Sequence, residues 1–152
     1  MYDLTDTDVA ELIDLEKHVE VDEKYAFPEI NEKVHISLLS SDKREKFFLD
    51  INRGSIDLRR VTYQTRSKII YPLVRLDISG RNHRNPDGKE LGVPHVHVYS
   101  QGFSDKWAYP PEEIFGEKFK DLKTMVEYLD IFMDYCKIIT KPDFDHDLFS
   151  SI

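Results

Sequence analysis

The sequence predicts an α+β fold: a twisted antiparallel sheet of about five strands, with an N-terminal helix and a long C-terminal helix packed on one face. Three observations predict it. Between residues 34 and 100 successive segments alternate apolar and polar side chains, the period of a half-buried strand. On either side of that region the apolar residues recur at helical spacing instead. The order helix, strands, helix over 152 residues then suits a single domain whose helices share one face of the sheet.

Thr5 and Thr7 precede Val9, Leu12, Ile13 and Val19, so hydroxyl caps stand ahead of an apolar stripe and predict a helix over residues 7–20. Asp8, Glu11, Asp14 and Glu16 decorate its other sides as solvated charges that complement the helix dipole. Residues 21–32 are charged and interrupted by Pro28, which predicts an irregular connection. "KVHISLL" alternates as a strand, "SSDK" supplies turn chemistry, and "REKFFLDI" is the next strand. The "NRG" at 52–54 offers a glycine for positive φ, so that "SIDLRRVTYQT" returns antiparallel. In "SKIIYPLVRLDISG" Ile70, Val74, Leu76 and Ile78 project one way, and Tyr71, Leu73, Arg75 and Asp77 the other. Pro72 makes this strand an edge or a bulge locally. "HVHVY" is the fifth strand, "PPEEIFGEKF" a short turn, and from Asp121 the residues Leu122, Met125, Val126, Leu129, Phe132, Met133 and Cys136 mark the C-terminal helix. Phe144 and Phe149 are expected to tack the tail to the body.

Composition bounds the function. The longest apolar runs fall short of the roughly 20 residues that span a bilayer. Cys136 is alone, which leaves no intramolecular disulfide, and no secretory pattern opens the chain. A cytoplasmic setting is expected. The formal charge of −8 is unevenly distributed: residues 1–33 hold eleven acids and three bases, whereas residues 53–84 hold eight bases and two acids. Such a basic segment attracts phosphates if its side chains share a surface. The bases are Arg53, Arg59, Arg60, Arg66, Lys68, Arg75, Arg81 and Arg84. Trp107 is read as a wedge between sheet and helix, or as a stacking platform for a base.

If the strand ending at Ile78 pairs with residues 94–100, alternation gathers Arg75, Asp77, His95, His97 and Tyr99 on the side away from the helices. The long loop "GRNHRNPDGKELGV" would bring Arg81, His83, Arg84, Asn85 and Asp87 over them, although "NPDG" is also sufficient as a plain β-turn. Three readings compete for such a cluster. Two histidines at alternate strand positions can ligate one ion, with His83, Asp77, Asp87 or Asp105 completing the set. The same histidines can act as acid and base in metal-free RNA cleavage, with Arg75 neutralising the phosphate. Or they form a hydrogen-bonded cluster without chemistry. No G-x-S-x-G, Walker, zinc-finger or helix-turn-helix pattern occurs.

The stretch "LVRLDISGRNHRNPDGKELGVPHVHVYSQGFSDKWAYP" resembles a group of small uncharacterised proteins from bacterial prophages and mobile elements. The matching marks run from Arg75, Asp77 and Gly80 through His83, Asn85, Pro86, Asp87 and Gly88 to Pro94, His95, His97 and Tyr99. They end at Gly102, Asp105, Lys106, Trp107 and Ala108, with weaker similarity in "KFFLDINRGSIDL". The resemblance implies a toxin–antitoxin neighbourhood and RNA cleavage or interference. Together these readings predict a metal-independent endoribonuclease of toxin type. His95 and His97 would handle protons, Arg75 would clamp phosphate, and His83, Tyr99 and Lys106 would assist. Arg53, Arg59, Arg60, Arg66, Lys68, Arg81, Arg84 and Trp107 would bind the nucleic acid. No cofactor or metal is assigned, and the expected partner is RNA or an antitoxin protein, with no membrane. The alternatives are a non-catalytic phage or defence module that docks through the acidic first helix, and a metal-dependent hydrolase using the His-x-His pair.

Overall fold

The computed structural model describes residues 3–54 and 60–145. Its first half contains α1 (Asp6–Asp14), β1 (Lys17–Val19), β2 (Lys24–Tyr25), β3 (Lys33–Ser40), β4 (Lys46–Arg53), β5 (Val61–Ser67) and β6 (Tyr71–Asp77). The second half contains β7 (His83–Arg84), β8 (Glu90–Leu91), β9 (His95–Val98), β10 (Ala108–Tyr109), α2 (Pro111–Phe115), α3 (Met125–Tyr135), β11 (Ile138–Thr140) and β12 (Asp143–Phe144). Eight strands make one sheet in the order β10-β9-β6-β5-β4-β3-β1-β11. It is antiparallel except where β11 runs parallel to β1. The short pairs β2/β12 and β7/β8 stand apart from it.

This architecture corrects the expected five-stranded sheet with a long C-terminal helix: the molecule is mostly strand, the sheet is larger and mixed, and the helices are short. Helix α1 opens with the reciprocal Thr5–Asp8 capping box but ends at Asp14, not at residue 20. The reason is Lys17, which is fully buried. Its Nζ donates to the carbonyls of Ile13 at 2.9 Å, Leu15 at 2.8 Å and Cys136 at 2.8 Å. One ammonium therefore satisfies carbonyls just after α3 and around the end of α1, and the chain continues as strand β1. Burial pushes the Lys17 ammonium down to about 8. Helix α3 begins only after the Thr124–Glu127 capping box, so Leu122 precedes it. It stops at Tyr135; Lys137 takes a φ of 60° and the β-branched Ile138, Ile139 and Thr140 extend beside β1.

Register sorts the side chains onto two faces. Ile36, Leu38, Phe47, Leu49, Ile51, Tyr63, Val74, Leu76 and Val96 fall on one, buried with Met125, Leu129 and Phe132 of α3 in the main core. Tyr63 donates its hydroxyl to the Met125 carbonyl and so fixes α3 on that face. The other face carries two parallel rows that cross five strands. One reads Lys33, Asn52, Thr62, Asp77, His95, and the next reads His35, Asp50, Gln64, Arg75, His97.

Two local expectations change. The β5–β6 register shifts between Thr65 and Arg66, so Leu73 is passed over and Tyr71 falls opposite Ser67 on the helix-facing side. Gly54 has no positive φ; a Cβ there would stand 2.6 Å from Arg60 Cδ, so the constraint is close approach. In the tail, Phe144 packs against Tyr25 and Phe27, while Phe149 lies outside the described residues. Among the described residues no helix is long and apolar enough to cross a membrane.

Candidate metal centre

Strands β6 and β9 place Asp77 opposite His95 and Arg75 opposite His97. Both imidazoles are only 2% exposed, yet their neighbours are polar. His95 Nδ1 lies 2.8 Å from the Gly92 carbonyl, and His97 Nδ1 lies 2.8 Å from the Asp105 carbonyl. A carbonyl only accepts, so each Nδ1 carries a hydrogen, and Nε2 is the atom each ring turns toward Asp77. Those two nitrogens converge. His95 Nε2 is 3.2 Å and His97 Nε2 is 3.3 Å from the same Asp77 Oδ2. The His97 contact is out of line for a hydrogen bond, which leaves that buried nitrogen without a hydrogen-bond partner.

Three potential ligand atoms thus face one another, all within 4.8 Å, and with both rings neutral all three are acceptors. Such a set is repulsive unless a cation, a proton or a metal ion, lies among it. Bonds of about 2.0–2.1 Å to a tetrahedral ion put neighbouring ligand atoms about 3.3–3.4 Å apart. The two Asp77–imidazole separations, 3.2 and 3.3 Å, lie close to that spacing. Metal-binding histidines characteristically donate their other nitrogen to a backbone carbonyl, as both do here.

Asp77 is anchored independently. Arg75 Nε donates to its Oδ1 at 2.9 Å and Arg75 Nη2 to its Oδ2 at 3.2 Å, while Arg75 Nη1 reaches Asp105 at 3.1 Å. Burial pushes the Asp77 carboxyl up, but the adjacent imidazoles and the Arg75 guanidinium outweigh it and hold it well below the usual range. For His95 burial works downward, and the Asp77 and Gly92 contacts prevail to raise it.

The long loop supplies the lid. His83 on β7 is held by its Nε2–H to the Lys106 carbonyl at 2.6 Å, with its ring 4.6 Å from that of His97 and 5.9 Å from that of His95. Its ring packs against the cluster, although the ligand atoms that converge within 4.8 Å are those of Asp77, His95 and His97. The "NPDG" turn forms, with Gly88 N–H on the Asn85 carbonyl at 2.8 Å and φ of 90° at Gly88.

The structure brings His83, His95, His97 and Arg75 together and leaves Tyr99 and the Lys106 side chain out. Tyr99 lies past the end of β9, stacks edge-on with Tyr71 and donates to Asp3, so it belongs to the N-terminal anchorage. Lys106 contributes its backbone carbonyl only. The expected basic surface is dispersed. Arg53 is buried, donating to the Pro28 carbonyl, and is no nucleic-acid contact. Arg66 is bound to Asp50, and Arg84 lies against Glu90. Lys68 sits at the β5–β6 turn, Arg60 lies across Gly54, and Arg81 is exposed in the loop. Arg59 lies outside the described residues. Trp107 packs edge-on against Phe103 and is no wedge under a helix. Sequence reasoning offered Asp77 only as one of four candidates to complete a ligand set, and missed the His35–Asp50–Arg66 network on the same face.

A family model described as a family of unknown function, DUF6978, matches residues 4–138. The chain belongs to that family. No curated protein and no solved structure matches it. The DUF6978 match spans both rows of the open face and every residue of the convergent cluster.

Proposed function

We propose that this DUF6978 protein is a metal-dependent hydrolase whose divalent ion is held by His95, His97 and Asp77, with the His83 ring packed beside them. The observation that carries the reading is the convergence of two Nε2 atoms on one carboxylate oxygen at 3.2 and 3.3 Å. A bound ion of this kind lowers the pKa of a coordinated water and supplies a nucleophile near neutral pH. Arg75 would then position Asp77 and lend positive charge beside the reacting centre. The metal-free alternative asks each imidazole for a nitrogen free to exchange a proton with a substrate hydroxyl. Here both Nδ1 atoms and His95 Nε2 are held by protein atoms, His97 Nε2 is buried against Asp77, and Arg75 is already taken by two carboxylates.

The test is metal analysis of the purified protein, followed by incubation with labelled RNA and with bis(p-nitrophenyl) phosphate, each with and without EDTA. About one equivalent of metal, lost in His97→Ala, and turnover that EDTA abolishes and added metal restores are expected. Protein that neither retains metal nor binds added zinc or manganese would sink the proposal. RNA cleavage indifferent to EDTA would transfer the histidines to acid–base work. A toxin–antitoxin or prophage setting, with RNA or an antitoxin protein as partner, rests on the sequence resemblance and is tested by gene neighbourhood.

A further inference from the structure

A groove of about 320 Å³ crosses β3 to β6 on the open face and shares Arg75 with the proposed metal centre. That volume is at the lower end of small-molecule sites. The groove's acceptor is already saturated: Asp50 receives His35 Nδ1 at 2.6 Å, Arg66 Nε at 2.5 Å, Arg66 Nη2 at 2.9 Å and Gln64 Nε2 at 3.1 Å. What remains free is different in kind. Lys33 makes no ion pair among the described residues, and Asn52 and Thr62 stand beside it in one cross-strand row that leads directly to Asp77. The groove therefore offers one free cation, neutral donors at Asn52 and Thr62 on the next two strands, and no uncommitted carboxylate. Donors spread over three strands suit a tetrahedral anion with several oxygens better than a planar carboxylate.

We infer that this groove is an anion subsite that anchors the phosphate of a small phosphate ester, with Lys33 as its charged contact and Asn52 and Thr62 as neutral donors. The substrate assignment rests on the hydrolase reading; the anion site itself does not. Strands lie about 4.8 Å apart, so Lys33 and Asn52 are two to three strand spacings, about 10–14 Å, from Asp77. A phosphate seated on Lys33 and Asn52, with Thr62 at its inner edge directly opposite Asp77, is consequently not the group that reacts. It holds the substrate by one end while a second bond reaches the metal.

The test is calorimetric titration with inorganic phosphate, ribose 5-phosphate and uridine 5′-monophosphate, on metal-loaded and on EDTA-stripped protein. Binding is expected to survive stripping and His97→Ala, and to weaken about tenfold in Lys33→Gln and severalfold in Thr62→Val, with metal content unchanged in both. Esters should bind more tightly than inorganic phosphate, and a preference between the two esters tells whether a base or only a sugar is read. Binding that disappears with the metal would make phosphate a metal ligand and overturn the subsite. Affinity unmoved by Lys33→Gln, equal affinity for ester and free phosphate, or no binding at millimolar concentration would each also overturn it. Phosphate binding in a protein that never holds metal would sink the hydrolase and leave the subsite standing.

Discussion

Asn85 pairs with the backbone of Ala108 through both ends of its amide: Nδ2 donates to the Ala108 carbonyl at 2.9 Å, and Oδ1 accepts the Ala108 N–H at 2.8 Å. Strand β10 is the edge of the large sheet, and one side chain covers its outward-facing groups as a neighbouring strand would. The same contact ties the loop that carries His83 to the sheet. Asn85→Ala leaves two buried backbone groups without partners, and a loss of about 2–4 kcal/mol is expected. Urea unfolding reads the loss. Weakened metal binding should accompany it as His83 loosens.

Asp77→Asn keeps the shape of the side chain and removes its charge. Metal affinity should fall at least tenfold, and far more if Asp77 is a direct ligand rather than a support. The circular dichroism spectrum should be unchanged. Unaltered zinc affinity by competition with a chelator would remove Asp77 from the centre.

Acid should weaken the open face through Asp50. Burial raises its carboxyl, but Arg66, His35 and Gln64 outweigh burial and hold it below the ordinary value. A carboxyl depressed in the folded state stabilises fully above its unfolded pKa, near 3.9. That contribution is lost as pH falls through the folded value. Urea midpoints measured from neutral pH down to about pH 3 should begin to decline near pH 4, and Asp50→Asn should flatten that part of the curve.

Lys17→Met is isosteric enough to pack but cannot donate. One buried carbonyl, that of Cys136, and two part-buried ones would lose their partner, at a cost on the order of 3 kcal/mol. A stability equal to the parent protein would mean that the ammonium is dispensable to the two helix ends.

Some of this was legible in the residues alone. The "SSDK" turn forms with Asp42 accepting from Ser40 Oγ and the Arg44 N–H, and it pins Leu39 opposite Lys46 and therefore His35 opposite Asp50. The pairing of β6 with β9 follows from alternation, which is why Arg75, His95 and His97 were found together. Tyr99 obeyed the same alternation on paper, but β9 ends at Val98 and the next residue turns to meet Asp3. Strands β1 and β11 are three residues each, too short to display a period, and their register depends on a buried lysine that composition marks as a surface residue. Val19 happens to fit the helical stripe, which is why residues 15–20 read as helix. The ligand set was ambiguous because an H-x-H pair fixes no third position. Four carboxylates or imidazoles were available, and the β6–β9 register is what sets Asp77 against the pair.

The parallel pairing of β1 with β11 has a consequence for how the molecule comes into being. Residues 17–19 leave the ribosome early, yet their outer neighbour is synthesised some 120 residues later, and the Cys136 carbonyl that caps Lys17 arrives with it. Until residue 140 has emerged, β1 presents an unpaired border and a lysine partly deprived of acceptors. The nascent chain should therefore hold its central hairpins first and seal this flank last.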